Sequence, residues 1–118
     1  MTNASTADKT YKASFEFFLG PLVGLLNDST VSEIMVSGPG NVFVERGGQV
    51  ERTDVVFQDE SALLAAANNI AQFVGKTINN ENPILDGRLE DGSRVCIVLA
   101  PLSAHGTSIN IRRFSQDA

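Results

Sequence analysis

The chain has 118 residues, a formal net charge of -5, 42% hydrophobic and 19% charged residues, and one cysteine. This length matches one domain with enough core to fold unaided, and the acidic balance excludes nucleic-acid or anionic-membrane binding over the whole surface, leaving room only for a local basic patch. One cysteine excludes an internal disulfide. No run of about 18 apolar residues is present to span a membrane, and the polar stretch Met1 to Thr10 lacks the apolar core of a signal peptide. A cytosolic protein fits these properties.

Residues 1–13 are low in hydrophobicity and read as a disordered lead-in to a single domain over 14–118. Phe15, Phe18, Leu19, Leu22, Leu25 and Leu26 recur at helical spacing. Gly20-Pro21 interrupts them, so either two short helices meet there or the helix starts with Pro21. Asn27-Asp28-Ser29 ends the run. Glu33 to Ser37 is a short apolar strand closed by the turn Gly38-Pro39-Gly40. Val42 to Arg46 and Gln49 to Thr53 flank Gly47-Gly48 as a β-hairpin, because glycine takes the positive φ of tight hairpin turns. Asp54 to Phe57 is a candidate extension of its second strand.

Asp59 is a candidate N-cap with Glu60 in the first turn. Leu63, Leu64, Ala67, Ile70, Ala71 and Val74 form an apolar stripe that predicts a helix over about 59–74, with Gly75 as its C-cap. Strands follow near 83–89, 93–99 and 107–114, the first two joined at Asp91-Gly92. Val95 to Leu99 is continuously apolar, which predicts a strand covered on both faces and makes Cys96 a packed core thiol. Alternation in the last strand puts Ile109 and Ile111 on one face and Ser108, Asn110 and Arg112 on the other. The order α-β-β-β-α-β-β-β predicts an α+β domain, with two main helices on a mostly antiparallel sheet of about six strands.

Few residues carry chemistry. Gly75-Lys76-Thr77 matches the end of a phosphate-binding loop, but the leading glycine is replaced by Ile70 and a helix precedes the match where a strand should stand. A helix end carrying a favourably placed cation is the better reading. His105, the one histidine, lies in the loop Pro101 to Gly106 without metal-ligating neighbours and reads as solvent-facing. Arg88, Arg94, Arg112 and Arg113 fall in or beside the last three strands. Arg88 and Arg94 bracket a turn and could oppose each other, which is unfavourable unless an acid or an anion lies between them. Asp86, Glu90 and Asp91 could supply ion pairs within the domain. The sharper alternative is an anion-binding cluster, since a guanidinium fork matches phosphate oxygens. No catalytic constellation is present.

Four segments resemble a known family: Glu33-Ile-Met-Val-Ser-Gly-Pro39, Val42-Phe-Val-Glu-Arg46, Pro83-Ile-Leu-Asp-Gly-Arg-Leu-Glu-Asp-Gly-Ser-Arg-Val95 and Thr107-Ser-Ile-Asn-Ile-Arg-Arg-Phe114. Over about residues 18–115 the chain looks like the N-terminal domain of type II/IV secretion-system ATPases, and within them is most similar to the CpaF-type motor of Tad/Flp pilus assembly. The resemblance implies a PAS-like α+β domain, joined in a longer parent chain to a RecA-like domain with the Walker motifs. ATP and magnesium would sit between the two domains. The parent would form a homo-hexameric ring at the inner membrane, with secretion or pilus components as partners and no nucleic acid. On motif position Arg94 and Arg112 resemble the phosphate-facing arginines, with Arg113 and Arg88 as weaker candidates. Gly87, Glu90, Lys76 and Ala100 depart from residues common in the family. Neither Walker motif occurs within the 118 residues, so ATP hydrolysis is expected of the parent and not of this chain alone. A stand-alone interaction or ligand-binding module, its arginines paired internally, is the competing expectation.

Overall fold

The computed structural model describes residues 19–114. The lead-in over 1–13, Phe15, Phe18 and the last residues lie outside them. A 3-10 turn, Gly20–Leu22, runs into a single α-helical turn, α1 (Val23–Leu26), with Pro21 at the start, where its missing N–H costs no hydrogen bond. Six strands follow: β1 (Val31–Ser37), β2 (Val42–Arg46), β3 (Gln49–Arg52), β4 (Ile84–Arg88), β5 (Arg94–Val98) and β6 (Ser108–Arg112), with helix α2 (Glu60–Phe73) between β3 and β4. All are antiparallel, in the order β3-β2-β1-β6-β5-β4. Two three-strand meanders are thus joined through β1 and β6, which makes the domain α+β.

Local chemistry explains the elements. Gly47 and Gly48 have φ of 59° and 81°, the paired positive values of a tight hairpin turn. Asp59 caps α2, its Oδ1 accepting from the Ala62 N–H at 2.9 Å. At the other end, the Gly75 N–H donates to the Gln72 carbonyl and the Lys76 N–H to the Ala71 carbonyl. This places Gly75, with φ of 72°, one residue beyond the C-cap Val74 in a Schellman arrangement. Lys76 Nζ donates to the Asp86 carbonyl at 2.5 Å and ties that end to β4. The Gly75-Lys76-Thr77 match is therefore helix-ending chemistry.

One face of the sheet is covered. Leu85, Ile97, Ile109, Val36 and Val42 form one cross-strand row, and Val95, Ile111, Ile34 and Val44 the next. All are buried with Leu63, Ala66, Ala67, Ile70 and Ala71 of α2 and with Leu19 and Leu22. Leu64 stands off that stripe, 37% exposed, and Ala66 takes its place. Gly87 lets the end of α2 approach β4: a Cβ there would lie 3.2 Å from two carbons of Val74.

Three expectations change. β3 ends at Arg52, and Asp54 to Phe57 is irregular, led away by the Phe57 N–H bond to the Pro39 carbonyl. β5 is not covered on both faces: Val95 and Ile97 are buried, whereas Cys96 and Val98 are only half-buried on the opposite side. Cys96 is consequently no core thiol. Among the described residues all helical cover lies on the other face, and apolar composition alone could not reveal which face the helix takes.

Candidate anion-binding site

The uncovered face concentrates the charged residues of the last three strands. Register places Arg88 opposite Arg94, Arg94 opposite Arg112, Arg112 opposite Glu33, and Glu33 opposite Glu45. Neighbouring strands lie about 4.8 Å apart, so three arginines share a row roughly 10 Å wide. Beside it runs a second row, Asp86, Cys96, Asn110, Met35, Phe43 and Arg52. Where the rows meet, a shallow depression of about 340 Å³ is lined by Glu33, Asp86, Arg94, Val95, Cys96, Asn110 and Arg112.

The ion pairs here are loose. Arg94 Nη2 lies 3.6 Å from Asp86 Oδ2, with the two side chains 59% and 64% exposed. Arg112 Nε lies 3.8 Å from Glu33 Oε1, with 72% and 21% exposed. Neither distance makes a hydrogen bond, and exposed pairs of this kind contribute about 0–1 kcal/mol. Arg88 has no ion pair among the described residues. Arg46 shows the opposite case. Its Nη2 meets Asp28 Oδ2 at 2.8 Å, its Nη1 meets Glu51 Oε1 at 2.7 Å, and its Nε donates to Thr30 Oγ1 at 2.9 Å. Asp28 is held down from 3.8 to about 2, first by the Thr30 hydroxyl and N–H and then by Arg46. A structural arginine in this fold uses up its fork; Arg88, Arg94 and Arg112 do not.

The four sequence candidates thus separate. Arg88, Arg94 and Arg112 come together. Arg113, one residue past β6, is turned by alternation to the opposite side from Arg112; its N–H donates to the Ser32 carbonyl at 2.9 Å, and its Nη1 is buried with no hydrogen-bond partner among the described residues. His105 is exposed in its loop. Glu33 and Asn110 were not legible as site residues. Asn110 and Asp86 follow from alternation with Arg112 and Arg88 once the strands are paired. Glu33 reaches this face by alternation with Met35, opposite the buried Ile34 and Val36, and the register shift between Val31 and Glu33 turns Val31 to the core.

Like charges on adjacent strands are unfavourable unless an acid or an anion joins them. The fold that carries this row is matched in a known protein. No family model matches the chain. The type IV secretion system protein VirB11 of Brucella suis is 37% identical over 102 residues, 86% of this chain and 28% of that protein. A crystal structure of the Brucella suis VirB11 ATPase in complex with sulphate shares the fold with a TM-score of 0.79 at 34% identity, covering 89% of this chain and 33% of that one. The chain is homologous to the N-terminal region of VirB11. A putative conjugal transfer protein of Mycobacterium tuberculosis is 29% identical over 99 residues, again over 28% of its length. The chain therefore spans between a quarter and a third of VirB11 and the conjugal transfer protein, and the α+β architecture expected from the resemblance is that of VirB11 in this region. No described helix is long and apolar enough to cross a membrane.

Proposed function

We propose that this domain completes the nucleotide site of a secretion ATPase by presenting Arg94 and Arg112, flanked by Arg88, to the phosphates of ATP held by a RecA-like domain of the same parent chain. The observation that supports it is the cross-strand row Arg88–Arg94–Arg112 on the uncovered face, whose guanidinium donors are not consumed by internal pairs. That donor set fits a polyphosphate, since each fork matches two phosphate oxygens. Among the described residues no three His, Cys, Asp or Glu side chains cluster, so magnesium accompanying ATP would be held by the phosphates and the RecA-like domain. The domain's part is electrostatic. Arginines fixed on rigid strands orient the phosphates and stabilise charge that develops on them, with no acid/base or covalent step. The sulphate complex of the VirB11 structure agrees with an anion-binding protein.

The same reading takes in a homo-hexameric, cytoplasmic motor working with inner-membrane secretion or pilus components; its CpaF-type branch rests on the sequence motifs alone. The test is ATP affinity and turnover of the full-length parent carrying Arg94→Ala or Arg112→Ala. Loss of a phosphate-stabilising arginine should lower kcat/KM by about tenfold or more. Unchanged values in both variants would overturn the assignment.

A further inference from the structure

Resting on the anion-binding reading above, we propose that Asp86 and Glu33 are resident competitors of the arginine site. These carboxylates stand against Arg94 and Arg112 when no anion is present, and so set how tightly the site holds an anion. Both line the same depression as the two arginines. Both stand at 3.6–3.8 Å, close enough to neutralise charge and too far to engage the donors. Their positions are set by the fold. Asp86 lies on β4 where Lys76 Nζ holds its carbonyl, and Glu33 lies on the regular part of β1, paired with Arg112 and opposite in parity to the buried Ile34. With both acids ionised, the three arginines present one net positive charge instead of three. An incoming anion meets free guanidinium donors and two carboxylates that repel it.

The consequence is an affinity held down by charge. Each carboxylate repels an incoming anion in proportion to that anion's charge, so the two acids oppose a polyphosphate more than a monophosphate and offset part of the stronger hold that several guanidinium forks give it. Asp86 and Glu33 tune the site in this sense, and they take no part in any reaction.

The experiment titrates the 118-residue chain with inorganic pyrophosphate and, separately, inorganic monophosphate at low salt, following amide chemical shifts. Asp86→Asn and Glu33→Gln should each tighten pyrophosphate binding by about three- to tenfold, and tighten monophosphate binding by a smaller factor, so that the preference for pyrophosphate widens. Asp86→Glu should restore the wild-type affinities, and Glu81→Gln, distant from the site, should match wild type. A merely structural role for the acids would weaken binding, so tightening is diagnostic. Asp86 is exposed, and its variants keep the test open if Glu33→Gln fails to fold. Binding that is lost in Arg94→Ala but not tightened in Asp86→Asn or Glu33→Gln overturns the competition alone. Binding that survives Arg94→Ala with Arg112→Ala, or no saturable binding in any chain, overturns the anion site and the competition together.

Discussion

On the covered face of the sheet the row Leu85, Ile97, Ile109, Val36 and Val42 crosses five strands without a polar side chain. On the open face the row Arg88, Arg94, Arg112, Glu33 and Glu45 crosses the same five and is entirely charged. The strands, their pairing and their backbone bonds are shared; only the side-chain parity differs. The division of labour follows. Burial against α2 supplies the stability, so the open face is free to hold an arrangement that does not stabilise the domain. A row of three unsatisfied arginines is tolerated because the other face offsets it.

The largest effect should separate the two faces. Ile109→Ala, in the centre of the covered face, should destabilise the domain by about 2–5 kcal/mol in denaturant unfolding. Arg112→Ala, three residues away on the open face, should change stability by no more than about 1 kcal/mol. Comparable losses in the two variants would break the comparison. Next comes the strap between the β1 turn and the loop before β6. Gly38 has φ of 82°, its N–H donates to the Thr107 carbonyl at 3.0 Å, and a Cβ there would collide with the His105 carbonyl oxygen. Gly38→Ala should therefore cost roughly 1–3 kcal/mol, read from the same unfolding curves, although no apolar contact is removed.

The smallest effect sharpens the contrast between engaged and free arginines. The Asp28 carboxyl is held at about 2 against an ordinary 3.8. The folded state thus prefers the ionised form, and this contribution is complete above about pH 4 and disappears as pH falls through 2. Asp28→Asn should be slightly less stable than wild type at neutral pH, and the difference in thermal midpoint should vanish in acid near pH 2. A difference that persisted there would show that the Asp28–Thr30–Arg46 corner stabilises by packing and not by charge.

Much of the fold was legible along the chain, and the reasons are local. Gly47-Gly48 and Asp91-Gly92 mark turns, Asp59 and Gly75 bracket α2, and alternation in Ser108–Arg112 assigns its two faces correctly. The site was legible only in part. Arg88 and Arg94 stand opposite each other because one turn joins their strands. The Arg94–Arg112 pair needs β5 and β6 in register across the loop Leu99 to Thr107. Cys96 was misplaced because an apolar run does not say which face a helix will cover.

By itself the sequence determined the elements, their order, their turns and the helix caps, since φ preferences and capping act within a few residues. It also carried the motifs that align the chain with VirB11. Only the tertiary structure decided that β1 pairs with β6, setting Val36 against Ile109 and Glu33 against Arg112 across the middle of the sheet. A one-residue slip there would exchange the two faces. What holds the register is the burial of Ile34, Val36, Ile109 and Ile111 against α2, a long-range packing choice that brings the arginines and their acids onto one open surface.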